Sequence, residues 1–242
     1  MKQNVPNSRA GVATRRGPSH HVNADQYCLL DAGIPAVNAA HRGELYAVCD
    51  GVSSVEEGAW AASLTCERLF QFFDPAGTPS KEVLVQLVGE IDWEIRGHGR
   101  GRGACTLTAL WFEGVRAHLL HIGDSCALRL RDGEMESITP NDAGSGRRLD
   151  AYMGMGAEVA TSLHVETFTV VRGDVYFILT DGVTDLLDGD ALFRVWRRTG
   201  NPQRCARQLV ELVDDLGGTD DATALVIEVI QVDAAVGSQS AR

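Results

Sequence analysis

Neighbouring apolar runs joined by turns too short for a crossover constrain this chain most. Cys105–Phe112 and Arg116–Ile122 are separated by Glu113-Gly114, and Asp132-Gly133 divides Ala127–Arg131 from another short run. A tight turn can join only antiparallel strands, because a parallel pair needs a crossover of a dozen or more residues. Further strand candidates are Tyr27–Leu30, Glu44–Asp50, Asp174–Thr180 and Ala222–Val232, all rich in apolar or β-branched residues. Helical periodicity appears in two pairs. Gly58–Phe73 is followed by Lys81–Arg96, where Val83, Leu84, Leu87, Val88, Ile91 and Ile95 share one face and Thr78-Pro79 supplies a start. Ala191–Arg198 is followed by Pro202–Leu216, opened by Asn201 before Pro202 and closed by Gly217. Amphipathic helix pairs flanking antiparallel strands give a layered α+β domain.

Residues 1–19 read as a flexible basic tail, with Pro6, Gly11, Gly17 and Pro18 and no periodicity. Residues 234–242 read the same way, which leaves 20–233 as one folded body. Over 242 residues, 22 Lys and Arg stand against 33 Asp and Glu, a net charge of −11. That balance argues against nucleic-acid binding, which needs a basic footprint. No apolar run is long enough to span a membrane, and the polar N-terminus lacks a signal-peptide core. The six cysteines form no CxxC pair and mostly lie in apolar runs, so they read as buried free thiols in a reducing, cytoplasmic protein. With no heptad seam, a monomer is expected.

The informative acids stand where apolar runs end. Val48-Cys49-Asp50-Gly51 and Leu179-Thr180-Asp181-Gly182 each close a strand with an acid and a glycine. Asp124 lies in the turn Ile122-Gly123-Asp124-Ser125, Asp220 and Asp221 precede the last strand, and Asp25 precedes the first. A carboxylate beside a buried strand is costly unless it is paired, hydrogen-bonded or bound to a cation. A neighbouring glycine lets a backbone carbonyl approach a ligand closely. Hard cations such as Mg2+ and Mn2+ prefer these oxygen ligands. Any one Asp-Gly is most simply a turn, and that reading suffices for Asp132-Gly133 and Asp188-Gly189. The ordered set points instead to convergence on a metal centre.

In order and spacing these motifs, with Gly58-Ala59-Trp60-Ala61-Ala62 and Gly103-Ala104-Cys105-Thr106-Leu107-Thr108, resemble the metal-dependent protein phosphatase family, the protein phosphatase 2C-like enzymes, in its compact bacterial form. The resemblance covers Asn23 to about Val232. It implies a four-layer α-β-β-α sandwich, two antiparallel sheets each covered by a helix pair. It implies hydrolysis of phosphoserine and phosphothreonine in proteins by a metal-bridged water, with two Mn2+ or Mg2+ ions and a third, weaker site. By the same resemblance Asp50 bridges two ions and the Gly51 carbonyl binds one of them. Asp181 and Asp220 complete the other, Asp25 orders metal-bound water, and Asp124 with Asp181 forms the weaker site. Asp221 stands where the family commonly has Asn and counts as support rather than ligand. The implied partners are a phosphorylated protein substrate and a cognate Ser/Thr kinase.

Three departures stand out. His20 occupies the place of the family's phosphate-gripping Arg, three residues before Asn23, with Arg15 or Arg16 as candidates to reach in from the tail. Cys126 replaces an Arg that often follows Gly-Asp-Ser. The segment that forms the family's flap is short, Pro140–Ala151, and carries Arg147 and Arg148. Two alternatives to a protein phosphatase stay open: a catalytically weak binding module for a phosphoprotein or partner kinase, and a hydrolase of small phosphate esters.

Overall fold

A computed structural model describes residues 8–52, 56–74, 77–98, 101–140 and 151–232. Its strands form two five-stranded sheets in which every pairing is antiparallel. One sheet has the order β2 (Gln26–Leu30), β3 (Glu44–Cys49), β4 (Leu107–Glu113), β5 (Arg116–Ile122), β8 (His164–Thr169). The other has the order β1 (Ser8–Arg15), β10 (Ala222–Val229), β9 (Val175–Leu179), β6 (Cys126–Arg131), β7 (Glu134–Ser137). The Asp132-Gly133 turn joins β6 to β7 with both residues at positive φ, 54° and 87°, the conformation that a two-residue hairpin favours.

The apolar runs are nearly continuous because both faces of each central strand are buried. In β3, Leu45, Ala47 and Cys49 pack toward the helices, while Tyr46 and Val48 pack between the sheets. In β9, Val175, Phe177 and Leu179 face the second helix pair, and Tyr176 and Ile178 face the other sheet. The first helix pair is α2 (Gly58–Leu69) and α3 (Lys81–His98), which place Ala62, Leu69, Leu84, Ile91 and Ile95 on the first sheet. The second is α6 (Gly189–Thr199) and α7 (Pro202–Asp215), with α7 over β1 and β10 and α6 against α7 and β7. Asp188 caps α6 by accepting from the Ala191 amide at 2.8 Å, and Asn201 caps α7 by accepting from Arg204 at 3.0 Å. Among the described residues the short helices are α1 (Pro35–Ala40), α4 (Val159–Ser162), α5 (Asp181–Thr184) and a 3-10 helix over Phe70–Phe73. No helix among the described residues is long and apolar enough to cross a membrane. The layers are therefore helix, sheet, sheet, helix, as the family resemblance implies.

The structure corrects the reading of residues 1–19 as a tail. Ser8–Arg15 is a full edge strand paired with β10 from Ser8↔Val229 to Arg15↔Ala222. Gly11, which looked like a mark of flexibility, is a point of close approach. A Cβ there would lie 2.2 Å from the Gln203 amide nitrogen at the start of α7. The described body thus includes Ser8–Arg15 and does not begin at residue 20. Residues 1–7 and 234–242 lie outside the described residues. β8 also went unrecognised, because an edge strand reading His-Val-Glu-Thr-Phe-Thr is mostly half-exposed and lacks an apolar run.

Replacing Gly11 with Val forces backbone apart at the β1–α7 contact, and overpacking of this kind costs about 1–3 kcal/mol. Urea unfolding should show that loss for Gly11→Val, whereas Arg9→Ala, which breaks only an exposed ion pair with Glu228, should stay within about 0.5 kcal/mol of the parent.

Candidate metal centre

The register places the loops that carry the acids at one end of both sheets. Cys49 at the end of β3 pairs with Gln26 at the start of β2, so Asp50 and Asp25 flank that pair. Leu179 pairs with both Ala224 and Cys126, which brings Asp181, Asp220 and Asp124 to the same end of the other sheet. Carboxylate oxygens of Asp50, Asp124 and Asp181 lie within 4.8 Å of one another. Like charges this close raise each other's proton affinity.

Each acid in the cluster has its own support. Asp50 and Thr106 are tied both ways: the Thr106 amide donates to the Asp50 carbonyl at 2.8 Å, and the Asp50 amide donates to Thr106 Oγ1 at 2.9 Å. Ser125 Oγ lies 2.8 Å from the same hydroxyl. Asp25 is buried, and its Oδ2 accepts from Thr223 Oγ1 at 2.7 Å and Thr180 Oγ1 at 3.0 Å. Gly51 leaves no room for a side chain, since a Cβ would lie 2.6 Å from the Gly58 carbonyl oxygen and 2.8 Å from that of Ala24.

Burial pushes the Asp50 carboxyl well above the ordinary carboxylate range, and Asp25, Asp181, Asp124 and Asp220 add repulsion. Burial also raises Asp25 to about 7 against the pull of its two threonine bonds. Asp181 is raised to about 6 by burial, then by Asp124 and Asp220. Asp124 is open to solvent yet still raised, first by desolvation from the surrounding protein, then by Asp185 and Asp220. Two buried oxygens, Asp25 Oδ1 and Asp181 Oδ1, have no hydrogen-bond partner. Clustered oxygen ligands, raised proton affinities and unpartnered carboxylate oxygens all fit a hard divalent cation.

Asp220 lies on the rim, exposed and outside the tight triplet. Its Oδ1 accepts from the Asp221 amide at 2.8 Å and lies 3.7 Å from His20 Nδ1. Asp221 is buried and clamps the segment before β2, accepting from the Gly17 and Ala24 amides at 2.7 Å each and facing His20 Nδ1 at 3.1 Å. Arg15 turns away to Asp214 and the Gly218 carbonyl, so it does not enter the site. Arg16 donates to the His20 and His21 carbonyls and holds the loop. Arg147 and Arg148 lie outside the described residues. Sequence reasoning gave no role to Thr106, Ser125, Thr180 and Thr223. Their signal was a hydroxyl within two residues of the end of an otherwise apolar run.

Known proteins resemble this chain in sequence and in fold. The family model for protein phosphatase 2C matches residues 16–214. The serine/threonine protein phosphatase PstP of Mycobacterium tuberculosis is 27% identical over 216 residues, covering 78% of this chain. The chain spans only 41% of the length of that relative. Among solved structures, the catalytic domain of PstP in complex with two manganese ions superposes with a TM-score of 0.79 at 24% identity, covering 94% of this chain and all of that one. The PPM Ser-Thr phosphatase MsPP from Mycobacterium smegmatis, in complex with cacodylate, gives a TM-score of 0.72 at 26% identity, covering 91% of this chain and 98% of that one.

The raised carboxylates set a pH dependence for the metal-free protein. Their folded affinities for protons exceed the ordinary value of 3.8, with Asp181 near 6 and Asp25 near 7. The folded state therefore binds more protons than the unfolded state across that window, and its stability falls as pH rises from about 4 to 7. In a chelating buffer the site's contribution should make the melting temperature lower at pH 8 than at pH 5.5. Saturating Mn2+ should raise it more at pH 8, and Asp50→Asn should raise it at pH 8 without metal.

Proposed function

This chain belongs to the protein phosphatase 2C family, and from that membership we propose that it is a metal-dependent phosphatase of phosphoserine and phosphothreonine in proteins. The carboxylate cluster carries the reading, with Asp50, Asp124 and Asp181 within 4.8 Å and unpartnered buried oxygens on Asp25 and Asp181. The two manganese ions of the PstP catalytic domain support the same cofactor class, Mn2+ or Mg2+. Asp50 would hold two ions, with the Gly51 carbonyl on one and Asp181 and Asp220 on the other. Asp124 with Asp181 would hold a third, weaker ion. When bound, such ions supply a water of lowered pKa and neutralise charge on the phosphoryl oxygens.

The chain's own residues do the positioning. Thr106 and Ser125 fix Asp50. Thr180 and Thr223 occupy Asp25 Oδ2 and leave Oδ1 to order a water at the metal centre. His20, held at Nδ1 by Asp221, keeps Nε2 for the substrate phosphate in place of a guanidinium. A phosphoprotein substrate requires a Ser/Thr kinase that loads it, which makes a kinase the implied counterpart and signalling the setting. The six free thiols support a reducing, cytoplasmic location. The main helix pairs bury their apolar faces in the chain's own cores, which supports a monomer.

One observation favours a second reading. His20 is committed to Asp221 where the family has Arg, which would suit a phosphoprotein-binding module of low turnover. Metal binding without turnover on any phosphopeptide would select that module, and faster turnover of metabolite phosphates than of phosphopeptides would select a small-ester hydrolase.

With Mn2+ the chain should hydrolyse a phosphothreonine peptide and p-nitrophenyl phosphate, and chelation should abolish both activities. Asp50→Asn and Asp181→Asn should each lower kcat/KM by at least about 100-fold, since a metal's charge stabilisation is worth several kcal/mol. Chelation-insensitive turnover, or full activity in either variant, would refute the proposal. His20→Ala should raise KM for the phosphopeptide more than it lowers kcat.

A further inference from the structure

Four of the six cysteines converge on the helix side of the first sheet, immediately behind Asp50. Cys66 on α2 lies with its Sγ 3.7 Å from that of Cys49, the last residue of β3. Cys66 also contacts Cys28 on β2, and Cys49 contacts Cys105. The thiols form a chain and do not close around one point, so they do not make a metal site. Cys49 precedes Asp50. Cys105 bridges Gly51 and precedes Thr106, whose hydroxyl and amide hold Asp50. The thiol chain and the carboxylate cluster therefore share a backbone.

We propose that Cys66 and Cys49 form a peroxide-oxidisable dithiol whose closure to a disulfide displaces Asp50 and weakens divalent-metal binding. The coupling half rests on the metal-centre reading above. Cys66 and Cys28 each retain 8% of their surface while Cys49 and Cys105 retain none, so a small oxidant meets the outer pair first. Its contacts with Cys28 and then Cys49 lower the proton affinity of the Cys66 thiol, which makes it the first of the group to ionise. Its sulfur attacks one oxygen of hydrogen peroxide, the O–O bond breaks, and hydroxide leaves to become water. Cys49 sulfur then attacks the resulting sulfenic acid at sulfur, forming the S–S bond, and the second oxygen leaves as water with the Cys49 proton. Two thiols are oxidised and one peroxide is reduced to two waters. A disulfide requires about 2.05 Å between sulfurs. The pair must therefore close from 3.7 Å, which draws the end of β3 toward α2.

The test treats the metal-free chain with hydrogen peroxide, removes the excess with catalase, and divides the sample. Intact mass should fall by about 2 Da, and a non-reducing peptide map should join the Cys49 and Cys66 peptides. Calorimetric titration should show Mn2+ affinity weakened at least about tenfold, with recovery after dithiothreitol. Cys66→Ala should bind Mn2+ like the parent and resist peroxide, with Cys66→Ser as the substitute if the alanine variant does not fold. A cross-link at another pair, no cross-link, or a Cys49–Cys66 cross-link that leaves Mn2+ affinity unchanged overturns the proposal. A reduced chain that fails to bind Mn2+ overturns the metal-centre reading and the coupling half with it. The cross-link map still decides the thiol half.

Discussion

Repulsion among carboxylates gathered at one end of two sheets is the constraint on which the rest of the molecule depends. Asp50, Asp124 and Asp181 are brought within 4.8 Å, and burial sharpens the cost of that approach. The opposing work is done by the sheets. Asp25 enters from the first sheet and accepts from Thr180 and Thr223 of the second. Hydrogen bonds to a charged group are each worth about 1.5–3 kcal/mol, so Asp25 stitches the two sheets at the place where repulsion would part them. Three layers of apolar packing behind it keep the strand ends in register. A site destabilised for function and held by a well-packed frame is the usual form of the stability–activity trade-off.

The two departures from the family pattern at the rim touch each other. His20 stands in the place of Arg and Asp221 in the place of Asn, and their side chains are 3.1 Å apart. Asp221 also takes the Gly17 and Ala24 amides, which an Asn oxygen could serve only in part while keeping its amide hydrogens satisfied. The loop from Gly17 to Asp25 is thus organised around one buried carboxylate and not around a guanidinium. This arrangement explains why Arg15 and Arg16, though close in sequence, are used for the Asp214 contact and for the His20 and His21 carbonyls.

The central strands and both helix pairs were legible because their signals are local. β3, β4, β9 and β10 are buried on two faces, and continuous apolar runs record that. The acids of the centre were legible as a set, because each interrupts such a run at its end. What escaped depends on partners distant in sequence. β1 has small and basic residues, and nothing nearby announces that Val229 to Ala222 will pair with it. Gly11 reads as a flexible residue until α7 is laid across it. The threonines that carry Asp25 lie 155 and 198 residues away, beyond any local pattern.

Strand β3 shows why the two chemistries of this end are inseparable. Its alternation sends Leu45, Ala47 and Cys49 toward α2 and α3, and Tyr46 and Val48 into the space between the sheets. Continuing the alternation by one residue puts Asp50 on the inter-sheet side, where Asp25 and Asp181 oppose it. A register slip of one residue would bury the acid among apolar helix contacts and turn the thiol toward the carboxylates. The buried run Leu45–Cys49 therefore does more than fill two cores. It sets the depth and face at which Asp50 emerges, one peptide bond beyond the packing of Cys49 against the helix side.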